Sequence, residues 1–205
     1  MSVPLEIEVK YLLTDLGAIR NRILESGGVS LGRHFESNIR FEDRTQSLRE
    51  KKQLLRLRQD RKATLTFKST PETEDPRYKI LKELEVEVSC FETMRAILKA
   101  LDFMEVQVYE KWRETFETGK TLICIDEMPF ADFIEIEGPP EEIDALSDAL
   151  GFSQDLVITA NYLEIFARIR KLEDLDFRDV TFDNFKGRAK DYTPHIRSFQ
   201  QGPIF

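Results

Sequence analysis

The chain has 205 residues, of which 41% are apolar and 33% charged, and its formal net charge is −8 at pH 7. This length supports one domain with a substantial core, or two small ones. The negative charge argues against general affinity for nucleic acids or anionic membranes, because the summed field repels phosphate, so any phosphate binding has to be local.

No apolar run approaches the roughly 18 residues that span a bilayer, and the N-terminus lacks a basic segment followed by an apolar one. The two cysteines, Cys90 and Cys124, are far apart and outside any metal-ligand spacing, which predicts a packing role and a reducing, cytoplasmic environment. His34 and His195 cannot form a zinc site by themselves, and we interpret each as a structural or surface histidine.

Charged and branched apolar residues alternate over residues 5–10. In a β-strand, Glu6, Glu8 and Lys10 would share one face, with the apolar side chains on the other. Residues two apart on a strand lie about 6.6 Å apart along its axis, so both carboxylates could serve one cation site, directly or through its waters. An amphipathic strand with a solvated charged face also explains this pattern, so the interpretation depends on whether the pattern returns.

The first helix is expected over residues 14–27, with Thr14 as its N-cap and Gly27 at its end. Period-two alternation predicts seven further strands, at residues 34–43, 54–58, 63–68, 82–88, 105–116, 121–126 and 133–137. Apolar stripes with helical spacing predict further helices at residues 90–101, 141–150 and 159–171. Polar segments predict connections at residues 44–53, 59–62 and 69–79.

The opening pattern is repeated. Glu-Ile-Glu-Val at residues 6–9 returns as Glu-Val-Glu-Val at 85–88 and as Glu-Ile-Glu at 135–137, each time before an amphipathic helix. This repeat suggests two β-rich halves that form one closed sheet. The helices need an apolar sheet surface to cover, so we expect the apolar faces outside and the charged faces lining a wet channel.

Two groups of charged residues would face this channel. The basic group consists of Lys10, Arg40, Arg56, Arg58, Lys68, Lys111 and Arg113. The acidic group consists of Glu6, Glu8, Glu83, Glu85, Asp126, Glu135 and Glu137. Enclosed charges are costly unless each is balanced, and a polyanion with Mg²⁺ or Mn²⁺ balances both groups. The alternative is an open antiparallel sheet whose charges pair across strands in solvent, but charged pairs on so many separate strands exceed what solubility requires.

In order and spacing this set resembles the CYTH superfamily of triphosphate tunnel metalloenzymes, which includes class IV adenylyl cyclases, thiamine triphosphatases and inorganic triphosphatases. The resemblance covers about residues 5–170. It implies an α+β fold with a closed eight-stranded antiparallel barrel, a charged interior, and helices packed on the outer face. It also implies that the basic residues bind the triphosphate and the acidic residues the metal. Arg40 departs from the pattern, because many members carry an aromatic residue there; it would alter the tunnel mouth or add a phosphate contact.

The resulting hypothesis is a Mg²⁺- or Mn²⁺-dependent triphosphate hydrolase, with Glu6, Glu8, Lys10 and Lys68 as catalytic residues. The first alternative is an adenylyl cyclase that converts ATP to cyclic AMP and pyrophosphate in the same tunnel. The second is a non-catalytic module that binds polyphosphate or a nucleotide. The expected partner is a small molecule containing a triphosphate, and the sequence leaves a homodimer open.

The segment after Lys171 follows a different pattern. Its aromatic residues are scattered among charges without a period, at Phe177, Phe182, Phe185, Tyr192, Phe199 and Phe205. We expect residues 1–171 to form the tunnel domain and residues 172–205 a C-terminal extension. The extension is expected to be a lid over the sheet, a partner contact, or a partly ordered segment.

Overall fold

The structure is a computed structural model and describes residues 4–72, 75–188 and 191–200. Its strands are β1 (Leu5–Leu13), β2 (Val29–Glu42), β3 (Gln53–Gln59), β4 (Ala63–Ser69), β5 (Lys79–Val88), β6 (Met104–Thr118), β7 (Thr121–Met128) and β8 (Ala131–Glu137). Its α-helices are α1 (Leu16–Glu25), α2 (Ser47–Glu50), α3 (Phe91–Ala100), α4 (Pro140–Ala149), α5 (Tyr162–Leu172), α6 (Phe182–Phe185) and α7 (Thr193–Arg197). None of the helices in these described ranges is long and apolar enough to cross a membrane.

The eight strands close into an antiparallel barrel in the order β1-β5-β4-β3-β2-β6-β7-β8. Closure depends on β1, which pairs with β5 on one side and with β8 on the other. Strands β1 and β2 are four places apart in either direction around the ring, so they form opposite walls. The predicted α+β fold, with a closed eight-stranded antiparallel sheet and flanking helices, is confirmed.

The apolar faces of the strands point outward, as the alternation predicts. Val9 on β1 and Ile136 on β8 are almost fully buried against Ile23 of α1 and Ile143 of α4. A second apolar cluster lies under α3, where Phe41 and Leu57 are fully buried. Because each strand alternates, the neighbouring charged residues are turned into the barrel.

Several boundaries differ from those predicted. Strand β5 begins at Lys79, because residues 79–82 pair with residues 5–8 of β1, and this long-range contact is not visible in the local pattern. The N-cap of α1 is Asp15, whose Oδ1 accepts a hydrogen bond from the backbone N of Ala18 at 2.9 Å, so the choice of Thr14 was wrong. The predicted turn at residues 44–53 contains the short helix α2.

The described part of the C-terminal extension packs on β6 and α5. The backbone N of Val180 donates to the carbonyl of Val108 at 2.8 Å, and the backbone N of Glu110 donates to the carbonyl of Val180 at 2.9 Å. Phe185 is buried in the apolar cluster that contains Phe166 of α5. The predicted loop residues 73–74 and the aromatic residue Phe205 lie outside the described residues.

Candidate active site

One cavity of about 1410 Å³ collects most of the residues that the sequence pointed to. It lies inside the ring of strands, and thirteen of the fourteen candidates line it. They are Glu6, Glu8, Lys10, Arg40, Arg56, Arg58, Lys68, Glu83, Glu85, Lys111, Arg113, Glu135 and Glu137. The exception is Asp126, which is fully buried and does not line the cavity.

A group of carboxylates lies on β1 and on the two strands that flank it, β5 and β8. Its members are Glu6, Glu8, Glu83, Glu135 and Glu137. Lys68 of β4 forms a short ion pair with Glu6, and Lys79 donates to Glu8 Oε1 at 2.6 Å. The side chain of Glu137 has no hydrogen bond or ion pair to any of the described residues. The two lysines therefore neutralise only part of the negative charge at this junction.

The excess of negative charge among these carboxylates shifts their pKa values. Burial, with Glu6 and Glu8 nearby, raises the pKa of Glu137 to about 7. Burial and the neighbouring Glu8 also raise the pKa of Glu6. The pKa of Glu8 is lowered, because Lys79 and other cations overcome the effect of its burial. Carboxylate oxygens are the ligands that Mg²⁺ and Mn²⁺ prefer, and a bound cation would relieve this repulsion, so the residues present fit such an ion.

Cations line the adjoining part of the cavity. Arg56 on β3 donates to Thr66 Oγ1 at 3.2 Å, and Arg58 lies 3.5 Å from Glu85. Glu85 thus lies among the arginines, apart from the carboxylates of β1 and β8. Arg40 lies 3.8 Å from Glu42, a carboxylate that accepts hydrogen bonds from the start of α2. This wall can hold the oxygens of a phosphate chain.

Asp126 contacts both cations that β6 contributes to the cavity, Lys111 and Arg113. Its Oδ2 accepts a hydrogen bond from Lys111 at 2.9 Å and another from the hydroxyl of Tyr162 at 2.8 Å, while Oδ1 accepts one from Arg113 at 2.6 Å. Burial opposes charge on Lys111, but Asp126 and Glu36 together raise its pKa above the usual value. The geometry therefore gives Asp126 the position of an anchor for cations.

Lys10 is almost fully buried, with 1% of its surface exposed, and three groups hold its side chain in place. Its Nζ donates to the carbonyl of Ala160 at 3.1 Å, lies 3.3 Å from Glu135, and stands 4.1 Å from the ring centroid of Tyr162. Burial lowers the pKa of Lys10, and Glu135 opposes this effect. Lys10 thus has one fixed orientation between the carboxylates and α5.

The sequence interpretation missed several residues of this cavity. Lys79 was assigned to a loop, yet it has the same parity along β5 as Glu83 and Glu85, so extending the alternation backwards would have found it. Glu36 and His34 share the parity of Arg40 on β2 and were visible in the same way. Tyr162, Asp60 and Arg178 also line the cavity, but α5, a turn and the extension supply them, and no strand pattern marks these positions.

Comparisons with known proteins agree with this architecture. The CYTH domain family matches residues 4–154 of the chain. A protein of Methanocaldococcus jannaschii named "putative adenylate cyclase" is 28% identical over 173 residues, which cover 78% of this chain and 98% of that protein.

Solved structures show the same fold. A Pyrococcus horikoshii protein is 26% identical with a TM-score of 0.65, and the match covers 78% of this chain and 98% of the other. A "putative adenylate cyclase" of Vibrio parahaemolyticus has a TM-score of 0.72 at 18% identity, covering 81% of this chain and 99% of the other. A "putative adenylyl cyclase" of Hippeastrum, described as having a dominant triphosphatase activity, has a TM-score of 0.56 at 18% identity, covering 79% and 95%.

Proposed function

The chain belongs to the CYTH family, whose members are enzymes, and on this premise we propose that it hydrolyses a triphosphate with the help of a divalent metal ion. One observation carries the proposal: a single cavity holds a partly neutralised group of carboxylates beside a wall of arginines and lysines. A metal-bound triphosphate balances both groups at once.

The carboxylates of Glu6, Glu8 and Glu137 would hold Mg²⁺ or Mn²⁺, with Glu83 and Glu135 beside them. When bound, such an ion supplies Lewis acidity at a phosphate oxygen and lowers the pKa of a bound water. The chain's own residues prepare this site, because the ion pairs with Lys68 and Lys79 keep Glu6 and Glu8 in position.

The cations would orient the phosphate chain and stabilise charge as it develops. Arg56 and Arg58 present guanidinium groups from β3, and β6 presents the ammonium group of Lys111 and the guanidinium group of Arg113, both held by Asp126. In phosphoryl transfer, charge spreads over the equatorial oxygens of the transferred group, and groups fixed in advance stabilise it without reorganising. Lys10, being buried, acts by holding Glu135 or by contacting a phosphate.

A second candidate is supported by the size of the cavity. Its volume of about 1410 Å³ leaves room for an organic group beside three phosphates. In the cyclase reaction the ribose 3′-hydroxyl of ATP attacks the α-phosphorus, and pyrophosphate leaves. The name of the Methanocaldococcus jannaschii relative is in line with this activity.

The deciding experiment identifies products. The purified chain is incubated with tripolyphosphate, thiamine triphosphate or ATP, each with Mg²⁺ or Mn²⁺, and orthophosphate, pyrophosphate and cyclic AMP are measured. We expect orthophosphate without cyclic AMP; cyclic AMP with stoichiometric pyrophosphate would favour the cyclase instead.

The same panel tests the non-catalytic alternative. For Glu8→Gln we expect turnover to collapse while triphosphate affinity, measured by calorimetry, falls much less. Binding of triphosphate by the unaltered chain without any product would contradict both enzymatic proposals. If turnover and affinity fell by the same factor in the variant, Glu8 would serve metal-assisted binding and would have no separate role in catalysis.

A further inference from the structure

Three side chains of types that can bind a metal ion lie close together on the wall of the tunnel opposite β1. They are His34 and Glu36 on β2 and Asp60 in the turn after β3, and one ligand atom from each lies within 4.8 Å of the other two. The Nε2 of His34 is 3.2 Å from Glu36 Oε1 and 3.8 Å from Asp60 Oδ2. Ligand atoms that share one divalent transition metal at about 2.0–2.2 Å stand roughly 3–4 Å apart, so this spacing requires little adjustment.

Glu36 gives an independent indication of a ligand. Only 1% of its surface is exposed, yet its Oε2 accepts no hydrogen bond from the described residues. Glu36 is thus a buried carboxyl group with an oxygen that is not hydrogen-bonded, an arrangement that a bound ion would explain.

Neighbouring cations offer a competing explanation, since they could balance these carboxylates without a metal. Arg58 Nε lies 3.1 Å from Asp60 Oδ2, but it is not aligned for a hydrogen bond, and Lys111 Nζ is 3.6 Å from Glu36 Oε2. Both cations also have carboxylate partners elsewhere, Lys111 with Asp126 and Arg58 with Glu85. A metal ion could therefore take over Glu36 and Asp60 without leaving either cation unpaired.

We propose that His34, Glu36 and Asp60 form a second cation site, which binds a divalent transition metal ion such as Zn²⁺ in preference to Mg²⁺. One imidazole and two carboxylates suit zinc, whereas magnesium binds through oxygen ligands. The three ligands line the cavity, so a fourth coordination position is open to water or to a phosphate oxygen. The site is separate from the carboxylates of β1 and β8, because β2 and β1 are on opposite walls.

Calorimetric titration with Zn²⁺ tests the site without reference to catalysis. The full chain carries Cys90→Ser to remove the exposed thiol, is stripped of metal, and is titrated in excess Mg²⁺ so that the carboxylates of β1 and β8 are occupied. We expect one Zn²⁺ per chain, and His34→Gln should weaken its binding by at least about tenfold. His195→Gln is the matched control, because His195 is the other histidine of the chain and should leave binding unchanged.

Nitrogen NMR of the histidine side chains gives a readout that does not depend on a variant folding. Zn²⁺ should shift the Nε2 resonance of His34 and leave that of His195 in place. The proposal would be overturned by the absence of saturable Zn²⁺ binding in excess Mg²⁺, or by binding that leaves the His34 resonance unmoved. Binding equally strong in the folded His34→Gln variant would overturn it as well. Failure of the chain to hydrolyse any triphosphate would leave these expectations unchanged, since binding alone is measured.

Discussion

Lys79 Nζ lies 2.6 Å from Glu8 Oε1, although the two residues are 71 positions apart in the chain. The register of β1 and β5 places them directly opposite each other, and both side chains face the cavity. Burial would lower the pKa of Lys79, but Glu8 and Glu135 overcome this effect and raise it. Lys79 is thus charged, and it holds one of the candidate metal ligands in its ionised form.

Replacing Lys79 by Met should destabilise the metal-free protein at pH 7 by about 3 kcal/mol, because Glu8 is left as a buried, unpaired charge. Added Mg²⁺ should recover part of this loss. The matched control is Lys82→Met, on the same strand but outside the cavity. Urea unfolding with and without Mg²⁺ measures both effects, and equal losses in the two variants would contradict the role given to Lys79.

The pH dependence of the Lys79→Met effect has a definite sign. The folded-state pKa of Glu8 lies below the usual value for a glutamate, so the ion pair stabilises the protein above that usual value, and this contribution is lost as the pH falls through the folded pKa. Without Lys79 the charge on Glu8 costs stability, and protonation removes that cost. The difference between the variant and the unaltered chain should therefore shrink as the pH falls from the raised pKa of Glu8 in the variant to its lowered pKa in the unaltered chain, and a constant difference would contradict this account.

The sequence pattern places Asp126 among the metal ligands, whereas its contacts in the structure make it an anchor for Lys111 and Arg113. If Asp126 anchors Lys111 and Arg113, Asp126→Asn should cost about 3–5 kcal/mol, and Mg²⁺ should not restore it. Asp132→Asn on the neighbouring strand is the control, since burial and Glu127 raise the pKa of Asp132 to about 6 and its charge adds no stability. Normal stability combined with lost Mg²⁺ binding would instead support Asp126 as a metal ligand, as the sequence suggested.

These residues show what a local pattern can predict. Alternation along β1, β3 and β8 correctly separated the inward from the outward side chains, because the side-chain period of a strand is fixed by its backbone. The apolar stripes of the helices then required the charged faces to be inside, which the buried contacts of Val9 and Ile136 confirm. The repeated pattern alone suggested a closed sheet but did not fix the number of strands in it. The family resemblance supplied that number, eight.

What the sequence could not predict depends on pairing between distant segments. Lys79 belongs to a strand only because residues 79–82 pair with β1, and Asp126 is buried because α5 brings the Tyr162 hydroxyl to it. His34 and Asp60 are 26 positions apart, and they meet only through the hairpin of β2 and β3. Neither the charge pattern nor the resemblance contains such three-dimensional contacts.

The C-terminal extension gives a further prediction. Phe185 is 6% exposed, and its ring centroid lies 5.2 Å from that of Phe177 and 5.9 Å from that of Phe166. Phe185→Ala should therefore cost about 3–5 kcal/mol of unfolding free energy. Leu172→Ala, at a position that is 53% exposed, is the control and should change stability by less than about 0.5 kcal/mol. If Phe185→Ala changed only KM and left stability intact, the extension would act as a detachable lid and not as part of the core.

The two cysteines should differ sharply in reactivity. Cys90 is exposed, and the Thr93 hydroxyl, which donates to its sulfur at 3.2 Å, lowers the pKa of its thiol. Cys124 is 7% exposed, and burial raises the pKa of its thiol to about 11. At pH 8 only about one molecule in a thousand would carry the Cys124 thiolate, which is the reactive form.

A disulfide reagent at pH 8 should therefore modify one thiol of the native chain rapidly and the second slowly. In Cys90→Ser the fast phase should disappear, and the slow reaction of Cys124 should accelerate about tenfold for each unit of pH, since the thiolate fraction rises in that proportion below the pKa. Cys124→Ser is the companion variant and should keep the fast phase. Rapid modification of native Cys90→Ser would show that the cavity wall at Cys124 opens to solvent, in contradiction to its buried position.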